Sequence, residues 1–270
     1  MIRKAIEIFR SRGISGLLRT ANSRLKALIA GRAKSFQPYK NMFVDRSGIE
    51  IGGPSQVFSR RGIFPVYPLV EKLDNCNFSS TTVWGDFSNR EKTHRLDSEK
   101  KSGQQLIAEA TDMTGLSPET YDFVLSSHML EHSANPILAL SEWKRMLKDN
   151  GMLVLLLPDK KHTFDHRRST TTMAHLIADF DAGMTESDLT HLPEILALHD
   201  LGRDPEAGDM AAFQTRSMLN IDNRCLHHHV FDTRLAVSVV EHVGLQVLAA
   251  EEIRPHHILL LAQKVKTDDF

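Results

Sequence analysis

The chain has 270 residues, 41% of them hydrophobic and 25% charged, with a formal net charge of −1 and two cysteines, Cys76 and Cys225. That length can bury a sizeable core, no apolar run approaches the ~18 residues of a membrane span, and two cysteines do not make a disulfide framework. With no signal-peptide pattern at its start, a reducing cytoplasmic location is expected.

The charge is unevenly spread. Residues 1–34 hold nine of the 33 bases and one of the 34 acids, so the rest of the chain is acidic, 24 bases against 33 acids. An acidic body argues against nucleic acid as a partner. Residues 1–38 are read as a basic amphipathic helical arm: Ile2, Ile6 and Phe9 lie at i, i+4 and i+7, and Leu18, Ala21, Leu25, Leu28 and Ile29 repeat the spacing. Two partners fit such an arm. One is an anionic membrane surface, met peripherally at the inner face; the other is this chain's own domain or a second subunit, as in a homodimer.

A domain over residues 39–270 follows. Ile49–Ile51 reads as a first strand and runs into Gly52-Gly-Pro-Ser55, a turn where missing Cβ atoms let a ligand approach the backbone. Lys72–Asn75 reads as a second strand. It carries Asp74, 22 positions after Gly52, about where a nucleotide-binding βαβ unit places a ribose-binding carboxylate. Residues 79–103 are polar and aperiodic, as in a long loop or irregular insertion. Gln105–Ala108 gives a third strand ending at Glu109-Ala-Thr-Asp112, and Tyr121–Ser127 a fourth, apolar at its centre as buried parallel strands are. Asn135-Pro136 opens a helix with Ile137, Leu140, Trp143 and Leu147 on one face and Asn150-Gly151 at its close. Met152–Leu157 is a fifth strand, stopped by Pro158. Residues 161–230 interrupt the pattern with helical pieces rich in His, Asp and Arg. A helix over Thr233–Val243 precedes strands Leu245–Ala250 and Ile258–Gln263, whose short link permits only an antiparallel pair. The expected fold is α/β: a doubly wound, mostly parallel seven-stranded sheet with an antiparallel C-terminal pair and a His-rich insertion.

This arrangement, and above all Tyr121-Asp-Phe-Val-Leu-Ser-Ser-His-Met-Leu-Glu-His132, Asn135-Pro136, Trp143-Lys-Arg-Met-Leu147, Asn150-Gly151 and Leu157-Pro158, resembles the Rossmann-like class I S-adenosylmethionine-dependent methyltransferases over about residues 45–265. The resemblance implies S-adenosylmethionine as cofactor. It implies Glu50, Gly52, Gly53 and Pro54 around the methionine portion and Asp74 on the ribose hydroxyls, with Asp86 as the rival if the second strand lies elsewhere. It further implies Asp112 at the adenine amino group with Ala110 or Met113 beside it, and Ser127 and His128 below the cofactor. The sequence departs from the family's Gly-x-Gly-x-Gly loop: Pro54 and Gln56 stand at the second and third glycine positions. Asp74 and Asp112 also have a plainer reading, as caps of strand-to-helix turns.

Fourteen histidines are many, and they cluster at His128 and His132, at His162 and His166, and at His227–His229. Methyl transfer to a hydroxyl needs a base near working pH, which imidazole supplies. His128, Asp165, His166 and His228 are the candidates for acceptor chemistry. A His/Asp-held divalent ion that acidifies the acceptor is the alternative route. A metal-dependent hydrolase built on the histidines is a third reading, but it lacks any paired ligand spacing such as His-x-x-x-His on a defined helix, and no metal ligands are assigned. The expected activity is methylation of a small-molecule or glycan hydroxyl, as in polysaccharide biosynthesis. A non-catalytic binding or scaffold protein keeping the same fold is the rival; Pro54 and Gln56 favour it and the retained acids oppose it.

Overall fold

The computed structural model describes residues 31–86, 94–95 and 102–266. The helix expected in the basic arm lies outside them. Seven strands build one sheet: β1 (Ser47–Ile51), β2 (Lys72–Asn77), β3 (Gln105–Ile107), β4 (Tyr121–Ser127), β5 (Leu147–Pro158), β6 (Gln246–Ile253) and β7 (His257–Gln263). Their order across the sheet is 3-2-1-4-5-7-6, with β1 to β5 parallel and β7 antiparallel to both β5 and β6. The doubly wound expectation for fold class holds. Strand order reverses between β1 and β4, and that switch point is where open α/β sheets bind ligands, beyond the carboxyl ends of the strands.

Period-2 alternation in β5 sorts its side chains to two cores. Leu153, Leu155 and Leu157 face α1 (Pro136–Met146) and α5 (Thr233–His242), whose Trp143, Leu140, Val239 and Val240 are fully buried against them. Met152, Val154 and Leu156 face the other way, onto Phe43, Phe58, Phe64 and Tyr67. This second face is covered by chain rather than by a long helix. Between β1 and β2 only a single 3₁₀ turn forms, Gln56–Phe58, because Pro54, Pro65 and Pro68 remove donors a helix would need. Edge-on phenylalanine pairs, such as Phe43 with Phe64 and Phe43 with Phe123, fill the space instead.

Helix starts follow their caps. Asn135 Oδ1 accepts from the Leu138 amide at 3.0 Å ahead of Pro136, and Asp232 Oδ1 accepts from the Leu235 amide at 2.8 Å. Helix α1 ends at Met146, and Leu147, expected on its face, already belongs to β5. The insertion contributes α2 (Met173–Asp181), α3 (Leu192–Leu198) and α4 (Met210–Met218). The chain joins the core by Ala33 and Phe36, which are buried, ahead of the expected boundary at residue 39. No helix among the described residues is long and apolar enough to cross a membrane.

Candidate active site at the carboxyl edge of the sheet

The chain leaves β1 through Gly52, whose φ of +79° suits glycine and whose missing Cβ would lie 2.8 Å from Met129 Cγ. The Gly53 carbonyl accepts from the Asn75 and Asn77 side-chain amides, both at 3.1 Å. Behind the turn, Glu50 is fully buried; its carboxylate accepts from the Ser55 amide at 2.8 Å and the Tyr67 hydroxyl at 2.6 Å. Burial pushes its pKa up to about 7, against those hydrogen bonds. Glu50 therefore shapes the turn from beneath, while Gly52, Gly53, Pro54 and Ser55 face a cavity of about 750 Å³.

At β2 the strand runs two residues further than its sequence pattern, to Asn77, and this changes which of its residues reaches the cavity. Asp74 sits mid-strand, 3% exposed, accepting from the Gln104 amide, the Tyr121 hydroxyl and Lys72 Nζ at 2.7, 2.9 and 3.0 Å. It does not line the cavity; Asn77 and Phe78 do. Beyond β3 the wall is Ala108, Glu109 and Ala110. Asp112 is turned away, its Oδ1 bonded to the amide and hydroxyl of Thr114, and Met113 is buried in the core beside Cys76. Asp86 ends a small ladder, Thr81–Thr82 with Gly85–Asp86, whose Trp84 stands edge-on to His132 at 5.4 Å.

Ser127 and His128 close the cavity under the switch point, as the sequence places them. His128 takes a left-handed backbone (φ +52°), a conformation that non-glycine residues rarely hold and that clusters at functional sites. Its Nε2 meets His257 Nδ1 at 2.7 Å. Burial and the neighbouring imidazoles push His128 well below the ordinary histidine range, and burial brings His257 to about 3, so both rings are neutral near pH 7. His132 Nδ1 lies 3.0 Å from the Leu226 carbonyl, which assigns the hydrogen to Nδ1 and a lone pair to Nε2. Between them, Glu131 is fully buried, with neither carboxylate oxygen hydrogen-bonded; Oε1 stands 3.9 Å from His128 Nδ1 and 4.0 Å from His132 Nε2. Burial raises Glu131 to about 7.

The insertion's candidates do not reach this wall. Asp165 is buried on Arg168 Nη1 and His227 Nδ1, at 3.1 and 2.6 Å, and approaches the cavity only through His227, whose ring packs edge-on to His132 at 4.5 Å. His166 binds Asp200 at 2.8 Å. His228 is 1% exposed and meets the Asn220 amide at 3.0 Å. The wall is completed by residues the sequence pattern did not single out: Asn77, Arg224, His256 and His257. His256 and His257 had a signal. An antiparallel last strand must start at the edge where β5 ends, and His257 pairs with Pro158 there.

The cavity meets the demands of a nucleoside sulfonium. Its size lies within the ~300–1,000 Å³ of small-molecule sites. Apolar Cys76, Ala108 and Ala110 can flank a purine, and the Gly52 turn admits close backbone approach. Asn77, whose Nδ2 donates to the Gly53 carbonyl, has its side-chain oxygen left to accept from a ribose hydroxyl.

Comparison with known families matches residues 76–155 to the methyltransferase domain. A comparison with curated proteins finds no match. Among solved structures, an S-adenosylmethionine-dependent methyltransferase from Methanosarcina mazei is similar at 14% identity and a TM-score of 0.49, over 87% of this chain and 99% of that one. One from Aquifex aeolicus is similar at 14% identity and a TM-score of 0.46, over 90% and 98%. Identities this low leave the fold to the strand order, which is that of the resemblance read from Tyr121–Pro158. The domain match covers residues 76–155, and the sheet around them has the strand order that the resemblance to S-adenosylmethionine-dependent methyltransferases implies.

Proposed function

We propose that the protein methylates a hydroxyl of a small molecule or of a sugar or glycan acceptor. The observation that carries this reading is the set of imidazoles, His128, His132, His256 and His257, concentrated in one cavity wall at the strand switch point. When bound, S-adenosylmethionine supplies an electrophilic methyl group on a sulfonium. Gly52, Gly53 and Ser127 hold the cofactor side of the cavity, and Asn77 takes the ribose. An acceptor hydroxyl lodged against His128 gives up its proton to the imidazole as its oxygen takes the methyl. The cation left on the ring is then balanced by Glu131, whose unpartnered oxygens stand next to it. Positioning supplies most of the remaining rate.

The basic arm suits a lipid-linked or membrane-proximal acceptor, with the chain at the inner membrane face; a second copy is the other partner it fits. Calorimetric titration with S-adenosylmethionine and its demethylated product, followed by labelled-methyl transfer to a panel of sugar nucleotides, glycans and small phenols, tests the reading. Transfer to nitrogen or carbon in the isolated product would overturn the hydroxyl assignment. Absence of cofactor binding would favour the scaffold reading instead.

A further inference from the structure

A second histidine cluster lies under the insertion, apart from the cavity wall. His175 and Asp179 stand at i and i+4 on α2 and so share one face. His191 immediately precedes α3, and His229 comes from the extended run before α5. One ligand atom from each of the four lies within 4.8 Å of the others. His175 Nε2 is 3.1 Å from His191 Nε2 and 3.2 Å from Asp179 Oδ2, and His229 Nε2 is 3.7 Å from the same oxygen.

Hydrogen bonding does not account for this convergence. A neutral imidazole nitrogen carries one hydrogen or one lone pair, yet His175 Nε2 faces two partners at once. Asp179 is 5% exposed, and its Oδ2, the point on which the rings converge, has no hydrogen bond. A metal ion resolves both. Four ligands at zinc's ~2.0–2.1 Å sit roughly 3.3–3.4 Å apart at the corners of a tetrahedron, close to the separations found. His229 Nε2 also lies 3.3 Å from the Ala134 carbonyl, a long contact that a metal-bound ring would give up.

We propose that His175, Asp179, His191 and His229 bind one zinc ion, and that it is structural. All four corners come from the protein, which leaves no open position for a substrate. Three segments of the insertion are tied at one point, and that point is fastened to the loop after β4: Asn135 Nδ2 donates to the Asp179 carbonyl at 3.3 Å, and the His229 backbone amide to the Glu131 carbonyl at 3.3 Å. The ion therefore fixes the insertion beside Glu131 and His132 without touching the reacting atoms.

The test uses the full chain without a histidine tag. Mass-spectrometric metal analysis after dialysis should find one zinc per chain. Cobalt(II) in its place should give the intense visible absorption of a four-coordinate ion, and chelation should lower the melting temperature. Asp179→Asn and His191→Ala should lower zinc affinity at least tenfold. Because both alter packed positions, His175→Ala, at the more exposed ring, repeats the measurement with less disturbance. His256→Ala, in the cavity wall, should keep its zinc. Failure of the wild-type chain to retain or take up zinc, a weak six-coordinate cobalt spectrum, or zinc kept by His175→Ala and lost by His256→Ala would each overturn the proposal.

Discussion

Asp165 and His227 meet at 2.6 Å, Oδ2 to Nδ1, and join the start of the insertion to its end. Burial alone would raise Asp165, but the charges and hydrogen bonds of His227 and Arg168 outweigh it and bring the carboxyl down to about 2. Burial likewise works against His227, and pairing with Asp165 outweighs it, so its pKa is raised above 6.5.

The pair predicts a stability profile. Asp165's contribution is complete above its unfolded value of 3.8 and is lost as pH falls toward 2. His227's is complete below 6.5 and is lost as pH rises through its raised value. Both are therefore fully present between about pH 4 and 6.5. His227→Ala should cost about 3 kcal/mol in that window, since it strands a buried carboxylate on Arg168 alone. Urea unfolding from pH 4 to 9 checks this; a loss that is constant across the range would show that packing, not charge, is what the substitution removes.

Glu50 predicts a slope opposite in sign to that of Asp165. Its folded value of about 7 exceeds the ordinary 4.5, so the folded state binds the extra proton and stability falls as pH rises between those values. Glu50→Gln can still accept from the Ser55 amide and pair with Tyr67, and it should flatten this part of the curve. A steeper curve in Glu50→Gln would contradict the assignment.

At the ribose position, Asn77→Ala should weaken cofactor binding by about 1–2 kcal/mol, through loss of a hydrogen bond and of the bond that holds Gly53. Asp74→Asn should lower the melting temperature while leaving cofactor affinity unchanged, because its carboxylate serves Gln104, Tyr121 and Lys72. Titration calorimetry on both separates the two roles. Affinity lost only in Asp74→Asn would return the ribose to the acid.

How far the sequence spoke depended on where polar groups found their partners. Strand β4 was legible to the residue, since an apolar run ended at Ser126-Ser127 leaves no other register. Strand β2 was not. Asn75 and Asn77 look like the end of a strand, yet both are buried because the Gly53 carbonyl across the sheet takes their amides, a contact no local pattern announces. That two-residue difference puts Asn77, rather than Asp74, at the cavity wall. Strand β5 was read from Met152 and begins at Leu147, since Lys148–Gly151 has the composition of a turn. Asp165 was singled out for its place after β5, and only the fold shows that Arg168 and His227 neutralise it away from the cavity. His175 and Asp179 share a helix face as His-x-x-x-Asp, a spacing that signals little until the fold brings His191 and His229 to the same point.

The arm's role can be tested without harming the core if the cut is placed correctly. Ala33 is buried, and the Lys34 and Ser35 amides both donate to Glu251 at 2.8 Å, so a truncation must stop at residue 30. The shortened chain should keep its melting temperature and cofactor affinity. If the arm meets membrane, the full chain should sediment with anionic liposomes, less so as salt rises, and the shortened chain should not. A dimer lost on truncation, with no liposome binding by the full chain, would assign the arm to a second subunit.

His128 carries the most exacting prediction, because it is the one proton acceptor named from the sequence that stands in the cavity wall. His128→Ala should lower the rate of methyl transfer about 10²–10⁴-fold while cofactor affinity stays near wild type, as expected for loss of a general base. His166→Ala should leave both unchanged, since its ring is bound to Asp200. The pH profile adds a second reading. Burial and the neighbouring rings hold His128 well below the ordinary histidine range, so the base is already deprotonated at pH 6 and the rate should stay flat down to that point. Activity kept by His128→Ala and lost by His132→Ala would move the base to His132, which burial likewise holds well below the ordinary histidine range, so the flat profile would stay.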